Sequence, residues 1–296
     1  MAFEAGCDAI KLQTYTPDSL TLDIKEDRFK AGDLWQNEYL YDLYKRACMP
    51  YEWHKPLKEY ADELGIQLFS SPFDLEAVDV CESIDVPAYK IASFEITDIP
   101  LIRYAASKGK PIIISTGVGD IDDIELALLT CKEVGNENIV LLKCTSAYPA
   151  PPESMNLLTI KDMKERFGTE VGLSDHTLGN DAVIAAVALG ARVIEKHFTP
   201  DGAFSLSPSQ LREMVQSVRN VEKMLGSVKY DDKPKKYARS LYASQDIKAG
   251  ESFTKENVKS IRPGDGLHPK YFDELLMKKA NQDIKAGTPL KKNFYE

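Results

Sequence analysis

The chain has 296 residues, enough for one large α/β domain or for one domain with a smaller appendage. Its formal net charge of −9 excludes an overall cationic surface, so we expect no nucleic-acid partner. No stretch approaches the roughly 20 apolar residues of a membrane span, and the N-terminus lacks the pattern of a signal peptide, so no membrane partner is expected. Five widely spaced cysteines without a CxxC pair indicate reduced thiols and a cytoplasmic protein.

Seven apolar runs follow one another along the chain, and each is typical of a strand buried on both faces. They span residues 9–14, 66–71, 88–93, 111–116, 139–145, 171–176 and 192–198. Segments with helical periodicity lie between and after them, among them 51–64, 122–134, 180–189 and 207–225. In the last of these, Ser207 precedes Pro208, which predicts an N-cap followed by proline at the first helical position.

This strand–helix alternation predicts an α/β fold with a parallel sheet. The sequence shows no dinucleotide glycine fingerprint, which favours a (β/α)8 TIM barrel over a doubly wound sheet. Such a barrel needs eight strands, whereas seven are predicted. Because residues 2–6 look like the last turn of a helix, we expect the first strand to be missing from this chain. The predicted catalytic barrel domain comprises residues 1–226.

The pattern changes after Gly226. Residues 229–236 are highly charged, include a proline and have no apolar periodicity, so we place a linker at 227–238. Residues 239–296 contain few helical segments. The hexapeptide Gln-Asp-Ile-Lys-Ala-Gly occurs there twice, at 245–250 and 282–287, and each copy predicts a strand followed by a glycine turn. A small, mainly β C-terminal domain is therefore predicted.

Two histidines stand at the ends of successive strands. His176 closes the run 171–176, and His197 follows Glu195 and Lys196 in the next run. Neutral imidazole is a common metal ligand, so the two histidines, with Asp175 and Glu195 beside them, predict a shared divalent metal. The alternative is that each histidine caps its strand by bonding to nearby backbone. A third histidine, His54, is expected on a helix surface.

Other polar side chains gather at the predicted strand ends, where the active site of a (β/α)8 barrel lies. They include Lys11, Gln13, Ser71, Lys90, Ser93, Glu95, Ser115, Lys143, Ser146 and Tyr148. Lysines and hydroxyls that converge suit a phosphate or a carboxylate. Lys11 and Lys90 lie inside apolar strands, so each needs an anionic partner or a lowered pKa. A Schiff-base aldolase therefore stays open as an alternative, and Glu95 could instead cap the following helix.

The ordered motifs of the barrel resemble those of the sialic acid synthase family. They are residues 11–15, 69–73, 89–95, 115–117, 143–149, 172–176 and 195–198. The C-terminal segment, from 239–243 through 262–263 to 266–269, resembles the antifreeze-like (SAF) domain of these enzymes. Within the family, residues 14–22, 50–54 and 266–269 are most similar to the pseudaminic acid synthases.

The resemblance implies a transferase that forms a carbon–carbon bond. C3 of phosphoenolpyruvate attacks the aldehyde carbon of open-chain 2,4-diacetamido-2,4,6-trideoxy-L-altrose. Water then adds at C2, and phosphate leaves by C–O cleavage. The resemblance also implies Mn²⁺ or Mg²⁺, held by His176 and His197, which would polarise the aldehyde oxygen. The chain could instead be an N-acetylneuraminate or legionaminate synthase or, more distantly, a non-catalytic carbohydrate-binding protein.

The resemblance assigns roles to individual residues. Phosphoenolpyruvate would be bound by Lys11, Ser71, Lys90, Ser93, Ser115 and Ser146. The sugar would be bound by Gln13, Tyr148, Asp201 and Arg262, the last reaching it from the SAF domain of a second subunit in a domain-swapped homodimer. The catalytic residues would be Glu195, Lys90 and Glu95, with Glu195 orienting water or moving a proton.

Overall fold

The computed structural model describes residues 1–32, 38–199, 205–230 and 235–295. It divides into two compact units, Met1–Gly226 and Ser227–Glu296. No helix in these described ranges is both long enough and apolar enough to cross a membrane.

The first unit is built on one parallel sheet whose seven strands lie in chain order. They are β1 (Ala9–Thr14), β2 (Gln67–Pro72), β3 (Tyr89–Ile91), β4 (Ile112–Ser115), β5 (Ile139–Cys144), β6 (Glu170–Asp175) and β7 (Val193–Lys196). The sheet is curled, as a contact between its two edge strands shows: Lys11 Nζ of β1 lies 3.9 Å from Glu195 Oε2 of β7. The predicted TIM-barrel class is thereby confirmed, with each strand within two residues of its predicted start.

One helix precedes the first strand of this sheet, and the others follow its strands. They are α1 (Ala2–Ala5), α2 (Pro17–Leu20), α3 (Leu40–Ala47), α4 (His54–Leu64), α5 (Leu75–Ser83), α6 (Ile99–Ser107), α7 (Ile121–Glu133), α8 (Thr159–Phe167), α9 (Asp181–Ala188) and α10 (Pro208–Leu225). The predicted cap of α10 is confirmed: Gln210 N donates to Ser207 Oγ, and Ser207 N donates to Gln210 Oε1.

Side chains alternate along each strand, so one face of the sheet packs into the apolar core and the concave face carries polar residues. Tyr89 and Ile91 of β3 pair in register with Ile112 and Ile114 of β4, and all four are fully buried in the apolar core. Lys90 lies between Tyr89 and Ile91, so its side chain points to the opposite face. A charged residue inside an apolar strand therefore reaches the concave side of the curled sheet.

His54 is fully buried, so the predicted surface position was wrong. Its Nε2 lies 2.7 Å from Thr14 Oγ1 of β1, and its Nδ1 lies 3.1 Å from the carbonyl oxygen of Tyr51. Thr14 Oγ1 also lies 2.7 Å from Ser70 Oγ of β2. The 3-10 turn Tyr51–Trp53 directs the first residue of α4 against the sheet, where the Thr14 hydroxyl is the hydrogen-bond partner of its Nε2.

The described residues of the second unit include the antiparallel strands β8 (Ser240–Ala243) and β9 (Val258–Ile261) and the short α-helix α11 (Phe272–Leu276). Its own apolar core includes Leu241, Ile247, Val258, Leu275, Ile284 and Leu290. Isolated antiparallel bridges, rather than long strands, connect the rest of this unit.

The two copies of the repeated hexapeptide contact each other reciprocally in this unit. Asp246 accepts from Lys285 Nζ at 2.9 Å and Ala286 N at 2.8 Å. Asp283 accepts from Lys248 Nζ at 2.8 Å and Ala249 N at 2.9 Å. Both copies turn at a glycine with positive φ, as predicted, but the predicted strands are reduced to a single bridge between Ile247 and Ile284.

Candidate active site

Two lysines and one carboxylate meet on the concave side of the curled sheet. Lys90 Nζ lies 3.6 Å from Glu195 Oε1 and donates to Ser115 Oγ at 2.7 Å. Lys11 Nζ lies 3.9 Å from Glu195 Oε2 and 3.5 Å from Ser71 Oγ. Strands β1, β2, β3, β4 and β7 thus each contribute one of the predicted residues to a single cluster.

The electrostatics of this cluster keep Glu195 ionised. Burial would raise the pKa of Glu195, but the charges of Lys90 and Lys11 and a hydrogen bond from Ser174 outweigh burial and hold it at about 2. Burial lowers the pKa of Lys90, against the attraction of Glu195. The cluster holds two amines against one carboxylate, so it can accept a further anion.

A second group of hydroxyls lies where β3, β4 and β5 end. Ser93 Oγ lies 2.9 Å from Ser146 Oγ and accepts from Val118 N at 3.1 Å. Gly117 allows this approach, because a Cβ on it would lie 2.4 Å from Ser146 Oγ and 2.6 Å from Ser93 Oγ. Hydroxyls beside a close backbone suit the oxygens of a phosphate.

The two histidines lie together beside Tyr148. The ring centroids of His176 and His197 are 5.3 Å apart, and those of Tyr148 and His176 are 4.4 Å apart. His176 Nδ1 lies 2.8 Å from the carbonyl oxygen of Thr145. A carbonyl only accepts, so Nδ1 carries the proton and Nε2 presents its lone pair, which is the usual arrangement for a metal-ligating histidine.

Both rings are neutral at pH 7. Burial, followed by the charge of neighbouring His176, lowers the pKa of His197 to about 4. Burial likewise lowers the pKa of His176. Neutral imidazole is the form that binds a metal, so this donor pair fits a divalent ion that takes its other ligands from water or substrate. Across the described ranges, no group of three or more His, Cys, Asp or Glu side chains could hold a metal ion.

Asp175 does not face the histidines, although the sequence placed it beside them. Its Oδ2 accepts from Lys196 Nζ at 2.6 Å on the outer face of the sheet. The next residue, His176, points inward because side chains alternate along a strand. Ser174, which the sequence analysis missed, also points inward and donates to Glu195 Oε1 at 3.0 Å.

Glu95 lies in the 3-10 segment Ser93–Glu95 that follows β3. Burial raises its pKa to about 7, against the charge of Lys90. Its Oε2 is buried and has no hydrogen-bond partner within the part of the chain that the structure describes. It does not cap α6, because Asp98 accepts from Leu101 N at that helix start. Glu95 can therefore exchange a proton near neutral pH.

The predicted sugar-binding residues lie in different parts of the chain. Gln13 is exposed on β1, one alternation beyond Lys11 on the same face. Arg262 is exposed in the second unit. Asp201 lies outside the described residues. Tyr148 contacts both rings of the histidine pair.

Fold and site together define a barrel-type site suited to an anion beside a divalent metal. Residues 1–230 match the NeuB family, and residues 238–296 match the SAF domain. The chain belongs to the NeuB family.

Named relatives and a solved structure agree with this membership. The chain is 50% identical to the pseudaminic acid synthase of Campylobacter jejuni, across 100% of this chain and 90% of that protein. It is 46% identical to the pseudaminic acid synthase of Helicobacter pylori, across 97% and 88%. The crystal structure of the N-acetylneuraminic acid (sialic acid) synthetase of Leptospira borgpetersenii superimposes with a TM-score of 0.69 at 31% identity, across 78% and 79%.

Proposed function

We propose that this protein is a pseudaminic acid synthase, which joins phosphoenolpyruvate to 2,4-diacetamido-2,4,6-trideoxy-L-altrose and releases phosphate. The observation that carries the choice of sugar is the likeness to two pseudaminic acid synthases, at 50% and 46% identity, against 31% for the N-acetylneuraminic acid synthetase. The site supports the choice of chemistry, because it combines an anion-binding cluster with a histidine pair.

Phosphoenolpyruvate is placed by the lysines and hydroxyls. Lys90 and Lys11 neutralise its carboxylate and phosphate, and Ser71 and Ser115 orient the two amines. The hydroxyls of Ser93 and Ser146 bind phosphate oxygens at the close approach that Gly117 allows. These contacts hold C3 of the enol facing the histidine pair.

His176 and His197 would hold Mn²⁺ or Mg²⁺. A divalent ion bound there supplies Lewis-acid polarisation of the sugar aldehyde. Tyr148 packs against both rings and limits their movement. The carbonyl of Thr145 fixes the tautomer of His176.

The two carboxylates have different tasks because their pKa values differ. Glu195, at about 2, stays ionised and orients the lysines and a water molecule. Glu95, at about 7, takes the proton from the water that adds at C2 of the condensed intermediate. Proton transfer thus falls to Glu95 rather than to Glu195.

The test is a phosphate-release assay on purified protein with phosphoenolpyruvate and three sugars in parallel. The sugars are the altrose derivative, N-acetylmannosamine and the precursor of legionaminic acid, each with Mn²⁺ and with EDTA. We expect turnover chiefly of the altrose derivative and its loss in EDTA. Preferred turnover of either other sugar would transfer the assignment to a sibling synthase.

The same purified protein distinguishes a synthase from an aldolase and from a carbohydrate-binding protein. A lysine-dependent aldolase would be trapped by borohydride in the presence of substrate and would tolerate EDTA, whereas Lys90 Nζ here already donates to Ser115 Oγ and to the carbonyl of Ile91. A carbohydrate-binding protein would bind sugar without turnover, and substituting His176 or His197 with alanine would leave its affinity intact.

The assembly belongs to the same proposal. The protein acts as a domain-swapped homodimer in the cytoplasm, in which a barrel of residues 1–226, a linker at 227–238 and a SAF domain at 239–296 make up each subunit. Arg262 of one subunit then binds the sugar in the other. Mixing inactive His176→Ala protein with inactive Arg262→Ala protein should restore part of the activity, since heterodimers contain one intact composite site.

A further inference from the structure

Directly behind the two histidines lies a buried ion pair to which the reaction above assigns no task. Lys196 Nζ donates to Asp175 Oδ2 at 2.6 Å, and the two side chains are 1% and 0% exposed. Asp175 and Lys196 are the last register pair between β6 and β7, and each immediately precedes one of the histidines. A buried ion pair is often no more stabilising than apolar residues of the same volume, so stability alone is a weak reason for this one.

The pair belongs to a hydrogen-bonded group of three residues, Asp175, Thr177 and Lys196, on either side of His176, which we call the clasp. Asp175 accepts from Thr177 N at 2.9 Å through Oδ1 and from Thr177 Oγ1 at 3.2 Å through Oδ2. Lys196 Nζ donates to the carbonyl oxygen of Thr177 as well. Both chain neighbours of His176 are therefore bonded to the residue that precedes His197. These bonds couple the two strand ends that carry the imidazoles.

We propose that Asp175 and Lys196 are positioning residues that set the separation of the His176 and His197 rings and thereby the affinity for a divalent cation. Strand β7 lies at the edge of the sheet, and its ladder is formed with β6. Without the clasp, the end of β7 is restrained less firmly against β6, so the two rings lose their fixed spacing of 5.3 Å. The proposal depends on the proposed function only in that this histidine pair binds the metal.

Two variants separate positioning from mere stability. Lys196→Met removes both hydrogen bonds that Lys196 donates, to Asp175 and to Thr177, at nearly constant side-chain length. The double variant Asp175→Asn/Lys196→Met also removes the charge that the single variant leaves unpaired, so it should recover much of the melting temperature that the single variant loses. Lys110→Met is the control, because it breaks lysine contacts to Asp85 and Glu82 away from the histidine pair.

The measurement is Mn²⁺ affinity of substrate-free protein, from the electron paramagnetic resonance signal of unbound Mn²⁺. We expect both clasp variants to bind Mn²⁺ at least about tenfold more weakly than the wild type. A loss of this size is usual when residues that orient metal ligands are mutated. The control should bind like the wild type. The KM for phosphoenolpyruvate at saturating Mn²⁺ should stay near the wild-type value, because the lysines proposed to bind phosphoenolpyruvate lie on β1 and β3, away from the clasp.

Three results would overturn the proposal: wild-type Mn²⁺ affinity in Lys196→Met, recovery of Mn²⁺ affinity together with melting temperature in the double variant, or no Mn²⁺ binding by the wild type. A separate possible result is that the wild-type protein binds Mn²⁺ but turns over none of the three sugars. That result contradicts the proposed function and leaves the positioning role standing.

Discussion

Lys90 Nζ lies 3.6 Å from Glu195 Oε1, and the lysine side chain is only 1% exposed. The two residues come from strands that are not neighbours in the sheet, so the contact exists only because the sheet curls. Lys11 also lies close to Glu195, so two amines face one carboxylate and the site has an excess positive charge.

The first prediction concerns this lysine. Lys90→Met should raise the KM for phosphoenolpyruvate by about 100-fold, since truncating one partner of a buried charge pair costs about 2–5 kcal/mol. It should also raise the pKa of Glu195, which loses the largest charge that opposes its burial. Lys143→Met is the matched control, because Lys143 also lies on a strand but bonds Thr145 and the carbonyl of Cys144. Equal effects in steady-state kinetics would contradict a specific role.

The second prediction concerns Gly117. In Gly117→Ala the new Cβ would displace the hydroxyls of Ser93 and Ser146, so kcat/KM for phosphoenolpyruvate should fall by about 100-fold, a typical result of misplacing substrate by about 1 Å. Gly32→Ala is the control, because nothing lies within 4 Å of a Cβ built there. Unchanged kinetics in Gly117→Ala would argue against a phosphate site at these hydroxyls.

The third prediction concerns the pH profile. Glu95 acts as a base when ionised, so kcat/KM should rise with pH through about 7 and level off above it. Glu95→Gln should abolish this limb and lower kcat by about 10²–10⁴. Asp98→Asn should keep the limb and move it to lower pH, because the charge of Asp98 raises the pKa of Glu95. A limb that survives in Glu95→Gln belongs to another group.

The fourth prediction concerns stability at His54. His54→Leu removes its bond to Thr14 and should lower the free energy of unfolding by about 2 kcal/mol in urea titrations at about pH 7.5. Burial lowers the pKa of His54 below its ordinary 6.5, so its contribution is complete above pH 6.5 and declines as pH falls towards the folded-state pKa. The difference between wild type and variant should therefore shrink between about pH 7.5 and about pH 5. Lys55→Ala, at a neighbouring exposed position, should leave stability nearly unchanged.

Much of the barrel could be predicted because its signal is local. Continuous apolar runs mark strands covered on both faces, and polar residues at their ends, such as Ser115 and His176, follow directly. The outward direction of Asp175 was also readable, since it is one residue from His176 and side chains alternate along a strand. Glu195, two residues before His197, satisfies the same rule and points inward.

Other features depend on contacts between distant segments and leave no local pattern. The burial of His54 requires the hydroxyl of Thr14, which is itself bonded to Ser70 on the neighbouring strand. The role of Gly117 requires strand ends from β3 and β5 to converge on it. The near-neutral pKa of Glu95 arises from burial by the folded chain, which composition cannot reveal.

The register of β6 against β7 has a consequence for how this sequence can change. Ser174 pairs with Glu195 on the concave face, and Asp175 pairs with Lys196 on the convex face. A slip of one residue would bring Glu195 under the helices and Lys196 into the substrate cavity, leaving both charges without partners. The two adjacent rungs therefore fix the alignment from opposite sides, and replacing one member of a rung should cost more stability than replacing both members together.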